Sequence, residues 1–273
     1  MSAALTAEEE VHYQRQMVMP DWGRTGQERL KAARVLVVGA GGLGSPVLQY
    51  LGAAGVGTIG IADYDFVEVS NLHRQVIHRL ADLDSPKTAS AAAALRAANP
   101  HIEVVEHFSP VNEENAAGLI AGYDLVADCT DNFATRDALH AACLAQRKVL
   151  VSGAAQIADG TVTTFAAFRP GDGNPCFRCL YPDVLTPALT PPCSEIGVAG
   201  PVLAVIGGLQ AMEVLKEIIG GAGSLSGTIL VYDGWQADLR RMRLDRRPGC
   251  PHCAGAAGGA GTAETAYPPV TGG

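Results

Sequence analysis

Basic residues are in deficit in this chain of 273 residues. It has 20 lysines and arginines against 28 aspartates and glutamates, which gives a formal net charge of −8 at pH 7. Binding to nucleic acid or to an anionic membrane surface needs a cationic face that releases counterions. We therefore expect neither nucleic acid nor a membrane among its partners.

Signals for secretion and membrane insertion are also missing. The chain starts MSAALTAEEE, with acids where a secretory signal has a basic region followed by an apolar stretch. The most apolar stretch, residues 198–214, includes Pro201, two adjacent glycines and Gln210, and it is too short to span a bilayer. We expect a cytoplasmic protein in which this stretch forms a buried helix.

Seven cysteines are present, but their spacing does not indicate a disulfide framework. Four of them form two Cys-x-x-Cys pairs, Cys176 with Cys179 and Cys250 with Cys253. Four thiolates at such spacing are typical of a closed tetrahedral zinc site, which stabilises a fold without taking part in catalysis. Free thiols suit the reducing cytoplasm. Cys129 and Cys143 are expected to be buried and inert.

Strand and helix patterns alternate from residue 33 to residue 155 and then change. Apolar segments predict parallel strands over 35–38, 58–62, 103–107, 125–127 and 149–151, separated by helices over 43–54, 86–98, 112–121 and 133–146. Later segments predict antiparallel strands over 161–168, 227–232 and 238–244, with a long helix over 199–218. The pattern indicates an α/β fold with a doubly wound, Rossmann-like, mainly parallel sheet, extended by antiparallel strands and carrying a C-terminal structural zinc site.

A glycine-rich turn follows the first predicted strand. Gly39-x-Gly41-x-x-Gly44 opens a helix, and Asp63 follows nineteen residues later at the end of the next strand. Glycines at this spacing allow a tight turn and a close approach of backbone amides to phosphate, while the acid binds ribose hydroxyls. The fingerprint predicts a nucleotide site and is compatible with NAD, FAD or ATP.

Polar residues cluster beyond the second strand, where ligands bind in this kind of sheet. They comprise Asp65, Ser70, Asn71, Arg74 and Gln75. Ser85 and Pro86 predict the N-cap and first residue of the next helix, which places Lys87 in its first turn. A cation there opposes the helix dipole unless an anion lies opposite it. Phosphate is the predicted anion, and a solvated surface lysine is the alternative.

A second polar group, Asp128-Cys-Thr-Asp131-Asn132, closes another strand at the same edge of the sheet. An ordinary helix cap is the alternative interpretation of Asn132. A carboxylate such as Asp131 is a typical magnesium ligand when it lies beside a polyphosphate. Together with Arg74 and Lys87, a magnesium site favours a triphosphate over a nicotinamide cofactor.

With Pro192-Cys-Ser-Glu-x-Gly-Val198, these motifs resemble the MoeB/ThiF family over about residues 8–253. Its members are ubiquitin-activating-enzyme-like adenylyltransferases that act on small sulfur-carrier proteins of the MoaD/ThiS type. The resemblance implies a homodimer that binds magnesium-ATP and a Gly-Gly-ended carrier, and activates the carrier for sulfur transfer in molybdopterin, thiamine or thiolation pathways. The expected parts are an N-terminal helical arm (1–32), an ATP-binding adenylation domain with the zinc site (33–253) and a flexible tail (254–273).

Residue roles follow from the same resemblance by position. The nucleotide-binding set is Gly39, Gly41, Gly42, Gly44, Asp63, Asp65, Ser70, Asn71, Arg74, Gln75, Lys87, Asp131 and Asn132. Asp131 would hold Mg²⁺, while Arg74, Lys87 and Arg15 would neutralise phosphate charge. Arg15 looks like the arginine that reaches into the partner subunit's site, and a surface salt bridge is its alternative role. The implied reaction is attack of a glycine carboxylate on the α-phosphate of ATP, which gives an acyl-adenylate and pyrophosphate.

Cys193 and the C-terminal Gly272-Gly273 each allow two interpretations. Cys193 lies in a proline-rich loop over 182–194, which corresponds to a crossover loop where some relatives form a thioester or acyl-disulfide with the carrier and others do not. The chain ends in Gly272-Gly273, like a carrier, which indicates either a flexible tail or a substrate mimic. Because the chain stops too early for the sulfurtransferase domain of some relatives, we expect a separate sulfur donor, such as a sulfurtransferase or a cysteine desulfurase.

Three rival functions are compatible with parts of the sequence. An NAD(P)-dependent oxidoreductase is supported only by the glycine fingerprint. A relative that activates a carboxyl-type group on tRNA is disfavoured by the acidic net charge. A zinc-stabilised, nucleotide-binding scaffold would recruit a carrier without exchanging pyrophosphate.

Overall fold

The computed structural model describes residues 4–169, 173–182, 197–220 and 223–254. Its strands are β1 (Arg34–Val38), β2 (Thr58–Ala62), β3 (Glu103–His107), β4 (Leu125–Asp128), β5 (Val149–Gln156), β6 (Asp159–Phe165), β7 (Thr228–Asp233) and β8 (Asp238–Arg243). Its helices are α1 (Ala7–His12), α2 (Gln14–Met17), α3 (Gly23–Ala32), α4 (Gly44–Ala54), α5 (Lys87–Ala98), α6 (Ala116–Ala121), α7 (Phe133–Ala145), α8 (Phe177–Leu180) and α9 (Gly200–Ile219). The predictions on Cys193 and on Gly272-Gly273 lie outside the described residues.

The described strands belong to one sheet, in the order β3-β2-β1-β4-β5-β6-β7-β8. Strands β1 to β5 pair in parallel, whereas β5 to β8 pair antiparallel. This confirms the predicted doubly wound sheet and its antiparallel extension. The strand order reverses between β1 and β4, and such a reversal is where open α/β sheets bind ligands.

Side chains of β1 alternate between two cores, one on each face of the sheet. Val35 and Val37 belong to the larger core, which includes residues of α3, α4, α5 and α9. Leu36 and Val38 belong to the smaller core, with residues of α6, α7 and α8. Helices α4 and α7 therefore cover opposite faces. The helix predicted within 199–218 is confirmed as α9, with Ile206 fully buried against the sheet.

Within the described ranges, no helix has both the length and the hydropathy of a membrane span.

Three elements differ from the prediction by more than one residue. Strand β6 was predicted over 161–168 and runs over Asp159–Phe165. Helix α6 begins at Ala116 and not at residue 112, because Asn112 and Asn115 form a turn in which each side chain accepts a backbone N–H of the other. Strand β5 continues to Gln156, because it pairs with β6 from Leu150 to Gln156, beyond the residues 149–152 that also pair with β4.

The predicted start of α5 is wrong by one residue. Pro86 has a ψ of 134°, outside the helical region, and occupies the N-cap position that was assigned to Ser85. Pro86 instead forms an isolated bridge with Phe66, which follows β2. The helix therefore begins at Lys87, and the bridge ties its start to the polar segment after β2.

The N-terminal helices pack on the rest of the chain through Tyr13 and Leu30, both of which are buried. The Tyr13 hydroxyl accepts a hydrogen bond of 2.8 Å from the side-chain amide of Asn99. Met17, in α2, is only half-buried.

Candidate functional site

The crevice between β1 and β4 brings two predicted motifs together. Strand β1 leads into the glycine turn, while β4 leads into Asp131 and Asn132. The strands pair directly, with Val38 opposite Asp128 at their carboxyl ends. Because α4 and α7 leave on opposite faces, the edge between them is open to a ligand.

Sterics require glycine at both ends of the turn. Gly39 has a φ of 94°, and a Cβ there would lie 2.7 Å from the Cys129 carbonyl oxygen. A Cβ on Gly44 would lie 1.9 Å from the Gly39 carbonyl oxygen. These two glycines therefore close the turn against β4 and against itself.

The inner glycines have different surroundings. A Cβ on Gly42 would lie 2.5 Å from a Leu203 methyl group of α9, whereas a Cβ on Gly41 would meet nothing closer than Gln75 Nε2 at 3.5 Å. Packing therefore does not explain Gly41. Gln75 is buried, and its Oε1 is without a hydrogen-bond partner among the described residues. Buried polar atoms are normally paired, so this oxygen is the kind of group that a bound nucleotide or its water satisfies.

Asp63 ties the end of β2 to the glycine turn. Its carboxylate accepts hydrogen bonds from the amide of Ala40 at 2.7 Å and from the amide of Asp65 at 2.8 Å. Burial raises the pKa of the Asp63 carboxyl, although these two hydrogen bonds and the nearby Lys87 act in the opposite direction. A carboxylate can accept about four hydrogen bonds, so acceptor capacity remains for ribose hydroxyls.

Lys87 is buried, so its alternative interpretation as a solvated surface lysine is wrong. Its ammonium group lies 2.8 Å from the carboxylate of Asp65, and its backbone amide donates to the Asp65 carbonyl oxygen at 2.9 Å. The anion that was expected opposite this lysine is thus a protein carboxylate in the structure. The Asp65 side chain is half exposed, so the pair lies at the surface of the crevice.

Ser70, Asn71 and Arg74 lie on the rim that follows β2. Residues Val69–Asn71 form a 3₁₀ turn, and the Arg74 guanidinium donates to the Ser70 carbonyl oxygen at 3.0 Å. None of these three side chains forms an ion pair in the part of the chain that the structure describes. Arg74 therefore offers a cationic group that no protein carboxylate neutralises there.

Asp131 and Asn132 are both exposed at the end of β4, but they differ in their contacts. Asn132 is the N-cap of α7, and its side-chain oxygen accepts the Thr135 amide at 2.9 Å, which confirms the helix-cap interpretation. Its amide NH₂ has no acceptor among the described residues. The Asp131 carboxylate has no hydrogen bond or ion pair with any described residue. An exposed carboxylate without a protein partner fits a hard cation such as Mg²⁺.

Sequence reasoning missed a buried pair directly behind Asp131. Asp128 and Arg136 are both buried, and their charged groups lie 3.3 Å apart. Arg136 is one helical turn into α7, a position where an arginine is usually solvated, so the sequence carries no signal for its burial.

A second missed residue, His78, supports the glycine turn from behind. Its Nε2 lies 2.8 Å from the Ala40 carbonyl oxygen, and its Nδ1 lies 2.8 Å from the Ser90 hydroxyl of α5. Burial lowers the pKa of His78, although the hydrogen bond to the Ala40 carbonyl oxygen acts in the opposite direction. The segment around His78 has no periodic pattern that would have indicated this contact.

Arg15 lies apart from the other predicted residues of its own chain. It lines a cavity of about 270 Å³ with His12, Tyr13 and Ala53. Ala53 is near the end of α4 opposite the glycine turn, and the 11 residues of that helix span about 16 Å. Arg15 forms no salt bridge with the residues that the structure describes, so its alternative role as a surface ion pair gains no support.

The four paired cysteines converge on one point beneath the antiparallel strands. The sulfur–sulfur distances are 3.7 Å for Cys176–Cys179, 3.7 Å for Cys176–Cys250 and 3.6 Å for Cys179–Cys253. A tetrahedron with metal–sulfur bonds near 2.3 Å has edges of about 3.8 Å, so the four atoms fit a metal ion. The distances are too long for disulfide bonds, whose sulfur atoms lie about 2 Å apart.

The remaining described cysteines are buried, as predicted. Burial raises the pKa of the Cys143 thiol to about 12 and also raises that of Cys129. Both thiols are therefore protonated near pH 7 and unreactive as nucleophiles.

Comparison with known proteins agrees with these observations. The ThiF family model matches residues 13–252. A sulfur carrier protein adenylyltransferase of Thermus thermophilus is 46% identical over 249 residues, which cover 90% of this chain and 91% of the relative. A molybdopterin-synthase adenylyltransferase of Escherichia coli is 45% identical, with 91% of this chain and 98% of the relative covered.

Two further matches differ more from this chain, the first in its length and the second in its sequence. An adenylyltransferase and sulfurtransferase of Mus musculus is 46% identical, but this chain spans only 53% of it. The crystal structure of Escherichia coli MccB with selenomethionine MccA superposes with a TM-score of 0.76 at 21% identity, covering 91% of this chain and 75% of that one, which supports the fold alone. The relatives' names favour the adenylyltransferase activity over the oxidoreductase and scaffold alternatives. Because the family model matches most of the chain and two relatives are 45% and 46% identical over more than 90% of their own length, the chain belongs to the ThiF family.

Proposed function

We propose that this chain is an adenylyltransferase that uses ATP to activate the C-terminal glycine of a small ubiquitin-like sulfur-carrier protein. The observation that carries the proposal is the crevice at the strand-order reversal. There β1 leads into a glycine turn that packing does not fully explain, and β4 leads into Asp131, whose carboxylate has no partner among the described residues. The near-complete coverage of two relatives named as adenylyltransferases supports the same activity.

ATP would bind with its phosphates at the glycine turn and its ribose at Asp63. The turn leads into α4, whose first amides point out of the helix and attract an anion. Gly41 leaves room for the phosphates, and the free acceptor positions of Asp63 suit the ribose hydroxyls. The remaining nucleotide-binding residues keep their predicted roles.

Asp131 is the proposed ligand of Mg²⁺, which when bound neutralises the phosphate charge. Arg74 would add positive charge from the rim. Lys87 would contribute by exchanging part of its contact with Asp65 for a phosphate oxygen. Such preorganised cations stabilise the charge that develops as pyrophosphate leaves.

The reaction needs no nucleophile from the protein. The carrier's terminal carboxylate has an ordinary pKa of about 3.5 and is ionised at pH 7. Its oxygen forms a bond to the α-phosphorus, the bond from that phosphorus to the bridging oxygen breaks, and pyrophosphate leaves with the electron pair. The chain's contribution is positioning and charge neutralisation.

A homodimer is the proposed assembly. Helix α9 exposes a stripe of Pro201, Val205 and Met212, at spacings that align on one face of a helix. The separation of Arg15 from its own chain's crevice suits a contact with the partner's crevice. The exposed stripe supplies the apolar surface that such an interface needs.

The cysteine cluster is proposed to hold zinc, because four thiolates in a tetrahedral arrangement match its preferences. The pathway and the carrier are proposed only as a class: a molybdopterin, thiamine or thiolation pathway with a separate sulfur donor. Reduced thiols suit a reducing compartment.

Carrier-dependent exchange of labelled pyrophosphate into ATP tests the proposal. The wild-type chain should exchange label only when a Gly-Gly-ended carrier is present, and Asp131→Ala should reduce the rate by more than about a hundredfold. Glu103→Ala, at an exposed residue that begins β3 at the edge of the sheet opposite the crevice, is the matched control. Tight carrier binding with no exchange would favour a scaffold, and retained exchange in Asp131→Ala would remove Asp131 from its role.

A further inference from the structure

The residue before Asp131 is held through all three of its polar groups. The Asp128 carboxylate accepts the Thr130 amide at 3.0 Å and the Thr130 hydroxyl at 2.6 Å. The Arg136 guanidinium donates to the Thr130 carbonyl oxygen. Thr130 is buried, whereas Asp131 beside it is exposed, so the backbone is immobilised at the point where the chain turns outward.

Arg136 also ties this turn to the neighbouring strand β5. Its guanidinium donates to the Gly153 carbonyl oxygen at 2.8 Å and to the Ser152 hydroxyl at 3.1 Å. Ser152 in turn donates to the Asp128 carboxylate at 2.7 Å. One planar group therefore bridges the end of β4, the middle of β5 and the start of α7.

The residue after Asp131 is held as well. Asn132 caps α7 through Thr135, and its carbonyl oxygen accepts the amide of Arg136 at 3.3 Å. Asp131 thus projects from between two anchored neighbours, and Arg136 contacts both of them.

We propose that Arg136 is a positioning residue for the nucleotide reaction: by holding the Thr130 carbonyl, it sets the direction in which Asp131 presents its carboxylate to the metal-bound phosphates. The inference rests on the proposed magnesium role of Asp131. A lysine cannot replace the arginine, because a single ammonium group cannot reach acceptors on β4 and β5 with the fixed fork of a guanidinium. A displacement of the carboxylate by about 1 Å is sufficient to slow such reactions by roughly a hundredfold.

A double-mutant cycle tests this role. The four proteins are the full-length wild type, Arg136→Lys, Asp131→Asn and the double variant, and the readouts are ATP affinity by calorimetry at several Mg²⁺ concentrations and exchange rate with carrier. Arg136→Lys should weaken the Mg²⁺-dependent part of ATP binding by about tenfold and slow exchange by tenfold to a hundredfold. In the Asp131→Asn background the same substitution should change affinity by less than about twofold, because its effect is transmitted through Asp131.

Arg169→Lys is the matched control. Arg169 also forms a forked, partly buried pair, with Glu217, but it lies at the end of β6 away from the crevice. It should lower the melting temperature without changing the Mg²⁺ dependence. Should Arg136→Lys fail to fold, Ser152→Ala removes one hydrogen bond of the same guanidinium and should give a smaller change in the same direction.

Three results would overturn the inference. Independent, multiplying effects of Arg136→Lys and Asp131→Asn would show that Arg136 does not act through Asp131. A lowered melting temperature with unchanged Mg²⁺ dependence would make Arg136 merely structural. Unchanged Mg²⁺ dependence in Asp131→Asn, with normal carrier-dependent exchange in the wild type, would refute the role of Asp131 and this inference while leaving the adenylation proposal in place.

Discussion

Replacing Gly41 and Gly44 separately by alanine should separate ligand binding from folding within one turn. At Gly44 the added Cβ would lie 1.9 Å from the Gly39 carbonyl oxygen, so backbone must move by roughly 1.5 Å to reach an ordinary contact of 3.4 Å. Backbone displacement of this size in a buried turn costs about 3 kcal/mol or more. Gly44→Ala should therefore lower the free energy of unfolding by that amount.

At Gly41 the nearest atom to an added Cβ is the Gln75 side-chain nitrogen at 3.5 Å, an ordinary contact, and the backbone has no positive φ. The free energy of unfolding should change by less than about 1 kcal/mol, since alanine also reduces the entropy of the unfolded chain. Phosphate oxygens could no longer approach the turn's amides. Each charged hydrogen bond that is lost costs about 1.5–3 kcal/mol, which corresponds to a tenfold to hundredfold weaker affinity for ATP.

Denaturant titration and calorimetry with magnesium-ATP measure the two effects. Gly118→Ala is the control, because Gly118 lies in α6 with no atom within 4 Å of an added Cβ. The reasoning is refuted if Gly41→Ala binds ATP as tightly as the wild type. It is equally refuted if Gly44→Ala unfolds at the wild-type denaturant concentration.

Three other predictions follow from the cysteines, a buried histidine and the proposed dimer. Cys250→Ser or a strong chelator should abolish stoichiometric zinc, measured by elemental analysis. Either should also lower the melting temperature steeply, because such a site contributes on the order of 10 kcal/mol to folding. A metal-free wild type of equal stability would contradict this prediction. Burial lowers the pKa of His140 to about 4, whereas its pKa in the unfolded chain is about 6.5. Because the unfolded chain therefore binds more protons as the pH falls from 6.5 to 4, the free energy of unfolding should drop by about 3 kcal/mol over this range. His140→Leu should flatten that pH dependence in denaturant titrations at pH 7 and 5, and an unchanged slope would exclude His140 as its source. Mixing Arg15→Ala chains with Asp131→Ala chains should restore pyrophosphate exchange. If Arg15 acts in the partner's site, each mixed dimer has one intact site. Failure to restore exchange would show that Arg15 does not act in the partner's site.

The parts of the fold that follow from local periodicity could be predicted from the sequence. Strands β1 and β2 are nearly continuous apolar runs, and the glycine turn between β1 and α4 has a fixed spacing, so both strands and the turn could be located directly. The start of α5 was misplaced because Pro86 is normally at home in a first helical turn. Its non-helical ψ comes from the bridge to Phe66, a tertiary contact that local propensity does not contain.

The residues that line the crevice could also be predicted, but the buried side chains that support it could not. Asp63, Arg74 and Asp131 belong to motifs with a regular position relative to the strands. His78 and Arg136 reach the crevice from segments whose local sequence is that of an ordinary loop and an ordinary helix surface. Their burial depends on which strands become neighbours in the sheet, and this information is spread over the whole chain.

Two aspartates near the end of β4, Asp128 and Asp131, have opposite surroundings although they are only three residues apart. Asp128 is fully buried and its two oxygens accept from Thr130 and Ser152, with Arg136 alongside, so its charge is satisfied within the protein. Asp131, three residues later, has turned outward and is without such contacts. A buried, paired carboxylate has no capacity left for a cation, whereas an unpaired one at the surface is too mobile to bind a cation in one direction unless its backbone is held. On the proposal that Asp131 binds a metal ion, the hydrogen bonds by which Asp128 and Arg136 hold Thr130 would fix the direction of the Asp131 carboxylate.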